Sequence, residues 1–566
     1  MNFLPMTKSE MNKLGWKQCD IIIVTGDAYV DHPSFGMAII GRVLEAKGFK
    51  VGIISQPNWK NNDDFLELGE PKLFFGITAG NVDSLVNHYT VNKKKRSSDD
   101  YTPNGKAGLR PNRATIVYTN KIKENFKNTP IILGGVEASL RRISHYDYWS
   151  DKVRKSILLN SKADILVYGM GEKPIIEIAE RINSSEDISN IDDVNGTVVK
   201  VKNIQNNWEK LPSHKEVISN KDSYNKMVYI YEKNKNYKFS KIMYQETGNQ
   251  ILKINITQKP FTEAEMDKIY DLPFTKYPHP KYNGSKIPAY EQIFSSITSH
   301  RGCFGNCSFC AIAVQQGEVI QSRSSKSIIN EVKKLVKHKK FKGTISDVGG
   351  PTANMYKMIC KIGGCEDMNC LFPKICKNLQ IDSQDEYIKL LDKVSKTNGV
   401  KNIFVASGVR HDLLLENNFA MKKIIQKYTG GHLKIAPEHL NDTVTKLMNK
   451  PSAKLYFKFL EFFKKYSREA KKEQYTVPYF ISGHPGCTKK MMIDMKNELQ
   501  ESDHKLQQAA DFYPTPMTIS TAMYYTGKHP FTGEKIYVPK SMKEKMTQFG
   551  IMMWHKKKRK EYKKNK

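Results

Sequence analysis

The stretch SHRGCFGNCSFC, residues 299–310, spaces Cys303, Cys307 and Cys310 as C-x3-C-x2-C. One loop with that spacing folds three thiolates around a single compact centre. A structural zinc site takes four protein ligands, usually as paired C-x2-C units, and the next cysteine is fifty residues on, at Cys360. A redox C-x-x-C pair would use Cys307 and Cys310, leave Cys303 without a part, and lack a thioredoxin-like setting. A cubane iron–sulfur cluster normally takes four cysteines, so three leave one iron with an open coordination position. An open position is what lets a metal centre bind a substrate or cosubstrate directly.

A second concentration follows in CKIGGCEDMNCLFPKIC, with Cys360, Cys365, Cys370 and Cys376 spaced x4, x4 and x5 in a loop containing Gly and Pro. Four cysteines in seventeen residues are improbable by chance in a chain that has nine. They suit a closed site, either a structural zinc or an auxiliary cluster, and unpaired thiols are the plain alternative. Such a cluster would relay electrons or anchor a substrate. Cys19 is expected to be buried beside the first strand, and Cys487 is a candidate substrate-facing thiol.

The surrounding sequence fits a chain kept in the cytoplasm. No run approaches the roughly 18 apolar residues of a membrane helix, and the first twenty residues lack the apolar core and cleavage site of a secretory signal. In that reducing compartment clustered cysteines serve as metal ligands or catalytic thiols. The 90 Lys and Arg against 58 Asp and Glu leave a formal charge of +32, which keeps nucleic acid among the candidate partners. The lysines are spread along the chain, however, and a solvated basic surface explains them equally.

The elements that must position these residues alternate between strand and helix. DIIIV, the helical GMAIIGRVLEAKGF and KVGIIS form a βαβ unit, and LFFGITAG, PIILGG and ADILVYG continue it, predicting an open parallel α/β domain over residues 1–180. No G-x-G-x-x-G fingerprint is present. Residues 181–290, rich in Asn, Lys and Ser with strand-like GTVVKV and ILKINI, are expected to form a connecting subdomain. Over 291–540 a second β/α series predicts a partial parallel barrel with its chemistry at the carboxyl ends of the strands. Residues 541–566 form a basic C-terminal tail.

With Phe309 just before the last cysteine, the three-cysteine motif resembles the signature of the radical S-adenosylmethionine (SAM) superfamily. The resemblance implies a radical SAM partial (β/α)6 barrel and a [4Fe-4S] cluster on Cys303, Cys307 and Cys310, with SAM chelated at the open iron. SAM would then be cleaved to a 5'-deoxyadenosyl radical that abstracts hydrogen from a substrate. It also implies an electron donor such as flavodoxin or ferredoxin. Gly349 and Gly350 of GTISDVGGPT look like the superfamily's glycine motif, whose carbonyls meet the SAM ammonium, although Pro351 stands where an acidic residue is common. Ser407 and Arg410 end the next strand and Glu438 the one after. Arg410 is suited to a carboxylate and Glu438 to ribose hydroxyls, against the plain reading of surface charge at strand ends. SGHPGC closes the last barrel strand.

Longer segments narrow the resemblance. TGDAYVDHPSFGMAIIGRVLEA, FFGITAGNVDSLVNHYT, GGVEASLRRISHYDYWSDKVRKSILL and VGGPTANMY are similar to YgiQ-type radical SAM proteins, whose N-terminal region is related to flavodoxin-like, cobalamin-binding folds. The cobalamin motif D-x-H-x-x-G is replaced here by D-H-x-x-x-G, through Asp31, His32 and Gly36. That departure counts against cobalamin and leaves only binding without a histidine ligand. HYDYWSDKVRKS carries aromatic and basic residues that suit either nucleic acid or internal packing. The leading expectation is a radical SAM enzyme of unknown substrate. The alternatives are an RNA- or protein-modifying enzyme resembling methylthiotransferases, and a non-catalytic iron–sulfur sensor of redox state or iron.

Overall fold

The computed structural model describes residues 3–366, 369–502, 506 and 509–555. Two compact units divide it, one formed by Met1–Pro260 with Asp267–Phe294, the other by Phe261–Met266 with Ser295–Lys566. Of the expected basic tail, residues 556–566 lie outside the described residues, and the rest departs from a tail: Met542–Met552 is a helix that buries Lys545, Gln548 and Met552. No described helix is long and apolar enough to cross a membrane.

The first unit is built on a nine-stranded sheet. Its strands are β1 (Ile21–Thr25), β2 (Val51–Ser55), β3 (Phe74–Thr78), β4 (Ile131–Leu133), β5 (Ile165–Val167), β6 (Thr197–Val201), β7 (Glu209–Lys210), β8 (Met243–Thr247) and β9 (Gln250–Ile254). The order is β2-β1-β3-β4-β5-β6-β9-β8-β7. The first five strands run parallel in the flavodoxin-like order. Their near-continuous Ile, Leu, Val and Phe reflect burial on both faces, and every residue of β1 is buried. The stretch expected as a connecting subdomain supplies the rest of this sheet, because β6 pairs antiparallel with β5 and β9 antiparallel with β6. A parallel sheet that stopped at β5 would leave an edge of unpaired N–H and C=O groups, and β6 covers it.

The polar residues after β1 turn inward. Asp27 accepts from Arg110 Nη2 at 2.8 Å and from the Asn81 N–H at 2.7 Å, while Asp99 lies 3.3 Å from the same guanidinium. Gly80, at φ +107°, is required there, since a Cβ would lie 2.1 Å from Asp27 Oδ1. Asp31 pairs with Arg42. The aromatic HYDYW segment packs within the same unit, Trp149 stacking on Tyr89 at 3.9 Å and Lys93 donating to the Trp149 carbonyl.

The second unit is a partial barrel. Its strands are β10 (Ser296–Thr298), β11 (Thr344–Ile345), β12 (Asp347–Gly349), β13 (Asn402–Ile403), β14 (His432–Glu438), β15 (Tyr475–Ser482) and β16 (Ala509–Asp511). Parallel pairing joins β10 to β12, β11 to β13, β14 to β15 and β15 to β16. A parallel bridge from Val409 to Ile435 joins the continuation of β13 to β14. Because β11 and β12 form one stave, the expected six-stave β/α barrel is present, with all carboxyl ends at one mouth. Each crossover carries a helix: Ser325–Val336, Ser383–Ser395, Asn418–Lys423, Ala453–Glu469 and Lys489–Glu501. Ser324, Asn417, Ser452 and Thr488 cap four of them with side-chain oxygens. Ile328, Val332 and Leu335 illustrate the 3.6-residue period that turns one helix face inward.

Candidate metal centre and cosubstrate site

The three-cysteine loop leaves β10 through a short hairpin in which His300–Arg301 pairs with Gln321–Ser322. Gly302 has φ +80°, and a Cβ there would lie 2.0 Å from the Val319 carbonyl oxygen, so no other residue fits the turn. Gly305 forms a cradle: its N–H donates to Cys303 Sγ at 3.3 Å, and a Cβ would lie 3.1 Å from Cys303 Sγ and 3.5 Å from Cys307 Sγ. The Cys310 N–H donates to the Cys307 carbonyl, closing the loop. Burial pushes the Cys307 thiol up, against the pull of Lys450 and Arg410. Burial, with the other two cysteines beside it, pushes Cys310 up to about 12. Three half-buried thiols on one loop release their protons when a multivalent cation binds them, and their soft sulfur donors fit a metal cluster.

The strand ends named from the sequence converge on this loop. Arg410 is buried. Its Nε and Nη2 donate to the two carboxylate oxygens of Asp412 at 2.8 and 2.6 Å, and its Nη1 faces Cys307 Sγ at 3.8 Å. Burial alone would raise the Asp412 carboxyl, but Arg410 beside it holds it well below the usual carboxylate range. Asn354 clamps the Arg410 backbone, accepting from its N–H at 2.9 Å and donating to its carbonyl at 3.1 Å. Ser407 is exposed and shares Asp347 with the Ala406 N–H. Glu438 ends β14 at φ +69°, buried, with Oε2 lacking a hydrogen-bond partner and Oε1 3.8 Å from Lys450 Nζ. Burial raises its pKa despite Lys450 and Arg410.

Of the glycine pair, Gly349 has its carbonyl engaged within the barrel. The Gly349 carbonyl accepts from the Ser299 N–H at 2.7 Å and from Ser299 Oγ at 3.1 Å, so strand pairing engages it. A Cβ on Gly349 would meet Ser407 Oγ at 2.1 Å, and one on Gly350 would meet the His300 carbonyl oxygen and Nε2 at 2.7 Å. Close approach of neighbouring strand ends therefore explains both glycines. Phe309 is half-buried, its ring edge-on to His484 of SGHPGC with centroids 6.3 Å apart. Cys487 faces no substrate space: it is buried 3.4 Å from His439 Nε2. Cys19 is buried beside β2, within 2.9 Å of where a Gly52 Cβ would stand.

Sequence reading missed Asp347, Asn354, Asp412 and Lys450, which position the groups it found. Asp412 carried a signal, two residues after Arg410 in VRHD, and Asn354 lies in the PTANM that follows the glycines. Lys450 carried none.

The later cysteines lie on one loop fastened at its base. Backbone bonds run from Gln380 to Ile359, Lys361 to Asn378, Gly363 to Cys360 and Cys376 to Cys370. Cys370 is buried, Cys360 and Cys376 are half-buried and Cys365 is exposed. Among the described residues no three His, Cys, Asp or Glu side chains converge as ligands of a single ion. A cubane gives each thiolate its own iron and does not require that convergence.

Comparison with known proteins adds three family matches: "Radical SAM N-terminal" over residues 3–296, "Radical SAM superfamily" over 297–499, and a domain of unknown function, DUF3362, over 507–564. A UPF0313 protein of Methanocella arvoryzae is 49% identical over 546 residues, covering 95% of this chain and 91% of the relative. UPF0313 proteins of Clostridium botulinum (strain Loch Maree) and Methanosarcina acetivorans are each 47% identical. The first alignment covers 98% of this chain and 87% of the relative, the second 97% and 78%. Two solved structures of TsrM, a radical SAM methyltransferase from Kitasatospora setae, each align with TM-score 0.50. One, with tryptophan and a SAM analogue bound, is 13% identical and covers 88% of this chain and 75% of that one. The other, with cobalamin and a [4Fe-4S] cluster bound, is 12% identical and covers 89% and 77%.

Proposed function

The chain belongs to the YgiQ-type, UPF0313 family of radical SAM enzymes, and from that premise we propose how its own residues run the chemistry. Cys303, Cys307 and Cys310 hold the [4Fe-4S] cluster, and SAM lies across the strand ends that carry Gly350, Ser407, Arg410 and Glu438. When bound, the cluster and SAM together supply one-electron cleavage of the sulfonium and a carbon-centred 5'-deoxyadenosyl radical for hydrogen abstraction. Asp412 holds Arg410 with Nη1 toward Cys307, where its positive charge favours the anionic thiolate set. Glu438 presents its unpartnered carboxylate oxygen to a hydroxyl-bearing ligand. That buried oxygen beside the three-thiol cradle is the observation that carries the cosubstrate assignment, because a protein gains nothing in stability from leaving it unsatisfied. A low-potential one-electron donor such as flavodoxin or ferredoxin supplies the electron.

No residue of the D-H-x-x-x-G turn is assigned as a cobalamin ligand, while a TsrM structure of similar fold has cobalamin bound. Asp31 is committed to Arg42, His32 Nδ1 lies 3.1 Å from the Ser34 N–H in its own turn, and Asp27 with Arg110 fills the end of β1. The reading is tested by anaerobic reconstitution with iron and sulfide, addition of SAM and dithionite, and chromatographic detection of 5'-deoxyadenosine and methionine. Release of both from the wild type, and of neither from Cys303→Ala/Cys307→Ala/Cys310→Ala, is expected. A fully loaded wild type that releases none overturns it. Hydroxocobalamin added to the same preparation and followed through gel filtration decides this point: a corrin spectrum retained with the protein assigns cobalamin as a further cofactor, and its separation leaves the [4Fe-4S] cluster and SAM as the cofactors.

A further inference from the structure

The loop Cys360–Cys376 is not explained by the first metal centre. It contains no described helix, and Ile359 and Ile362 at its base are exposed, so apolar packing does little to hold that end. The backbone bonds between 359–363 and 378–380, and between Cys376 and Cys370, bring distant cysteines of one loop together. Cys370 is buried with Leu371 and Leu379, Cys376 packs against the same cluster, and Cys360 forms a backbone bridge to Leu379. Four cysteines on this one loop supply the number of thiolates that a closed metal site takes.

Their neighbour identifies which metal chemistry is useful there. Cys370 belongs to an apolar cluster with Phe304, Met355, Leu371 and Leu379, and both Cys376 and Cys303 pack against it. Met355 Sδ lies 3.8 Å from Cys303 Sγ. One dry wall thus separates the four-cysteine loop from a ligand of the first cluster. Zinc has no redox state to exploit such proximity, whereas an iron–sulfur cluster does.

We propose that Cys360, Cys365, Cys370 and Cys376 hold a second, fully protein-ligated [4Fe-4S] cluster that passes single electrons to the cluster on Cys303, Cys307 and Cys310. A low-potential donor protein gives the second cluster one electron. That electron reduces the first cluster, the second returns to its oxidised state, and no atom or proton is transferred between them. With no open iron, the second cluster does not bind SAM. The electron-carrying role rests on the functional reading above; the metal site does not.

The test uses the full chain reconstituted anaerobically with ferrous iron and sulfide. Wild type is expected to hold about eight irons, and both Cys303→Ala/Cys307→Ala/Cys310→Ala and Cys360→Ala/Cys365→Ala about four. The second variant alters the half-buried and exposed thiols, leaving the core cysteine in place. After reduction, the first variant should give a paramagnetic signal indifferent to SAM, the second one that SAM shifts. Release of 5'-deoxyadenosine driven by flavodoxin should fall at least about tenfold in Cys360→Ala/Cys365→Ala, while dithionite-driven release stays within about twofold. Saturation of wild type at about four irons, one zinc per chain lost with these cysteines, or a disulfide in their place overturns the proposal. A first-site variant that keeps its irons while fully loaded wild type fails to cleave SAM would sink the functional reading and leave the second cluster standing.

Discussion

Glu438 concentrates two unfavourable features in one residue. A non-glycine residue at positive φ costs on the order of 1–3 kcal/mol, and a buried carboxylate oxygen without a partner a similar amount. Folding alone does not select such a residue, and the register shift between Ile435 and Glu438 shows β14 bending to place it. Glu438→Gln keeps the shape and removes the charge. The expected result is SAM affinity weakened about tenfold, about 1.4 kcal/mol, with the thermal midpoint unchanged or raised. Titration of SAM into reconstituted protein, beside a melting curve, checks this. A fall in stability with unchanged affinity would make Glu438 a structural partner of Lys450. The charge pattern had flagged Glu438 and Arg410, but the features that distinguish Glu438 from surface charge, its backbone angle and its unmet oxygen, exist only once β14 is folded.

At the scale of elements, the barrel mouth depends on how closely consecutive strand ends approach. Gly350 sits where a Cβ would meet the His300 backbone at 2.7 Å, and His300 in turn sits 3.1 Å from the Thr352 carbonyl through Nε2. Backbone cannot move aside as a flexible side chain can, so Gly350→Ala must push β10 and β12 apart. Overpacking of this kind costs about 1–3 kcal/mol, and the displacement falls between the cysteine loop and Ser407. Retained iron loading with a several-fold weaker response to SAM is the expected phenotype, read from the iron count and the SAM-induced change in the paramagnetic signal. An unchanged response would show that the strand ends tolerate spreading. The β/α alternation that builds the mouth was plain in the sequence because apolar runs, helical periods and capping residues repeat in order. Folding adds a reason for the glycines that the motif does not carry: Ser407 and His300 leave no room for a Cβ, and Ser299 engages the Gly349 carbonyl.

For the whole molecule, buried imidazoles set the response to acid. In the second unit burial lowers His300 and His439 to about 4 and His411 and His484 to about 3. In the first unit it lowers His145 to about 3. Between those values and the unfolded value near 6.5 the unfolded chain binds protons that the folded chain refuses. Stability is therefore complete above about pH 6.5 and declines as pH falls toward 4, by up to about 1.4 kcal/mol per pH unit for each histidine. Burial raises the carboxyls of Asp347 and Glu438, which opposes the decline at its lower end. Urea unfolding at intervals from pH 7.5 to 5 should give a midpoint that falls steadily below about pH 6.5. A flat profile would mean that these imidazoles are solvated.

The sequence by itself determined the class of chemistry and the order of its parts. Three cysteines at 303, 307 and 310 have the number and spacing that would leave one iron of a cubane open, and a parallel barrel follows from the succession of strands and helices. Both signals are local and survive without knowledge of contacts. Tertiary structure decided which polar residues are free to act. Asp31 reads as part of a binding motif in the linear chain, but it is spent on a buried ion pair with Arg42, as Asp27 is with Arg110, because charge removed from water must find its opposite. Lys450 looks like any of the chain's lysines, but folding carries it to Glu438. Cys370 and Cys376 are separated from Cys303 by more than sixty residues, and only folding packs these three against one apolar cluster. Such pairings depend on long-range packing, which no spacing along the chain records.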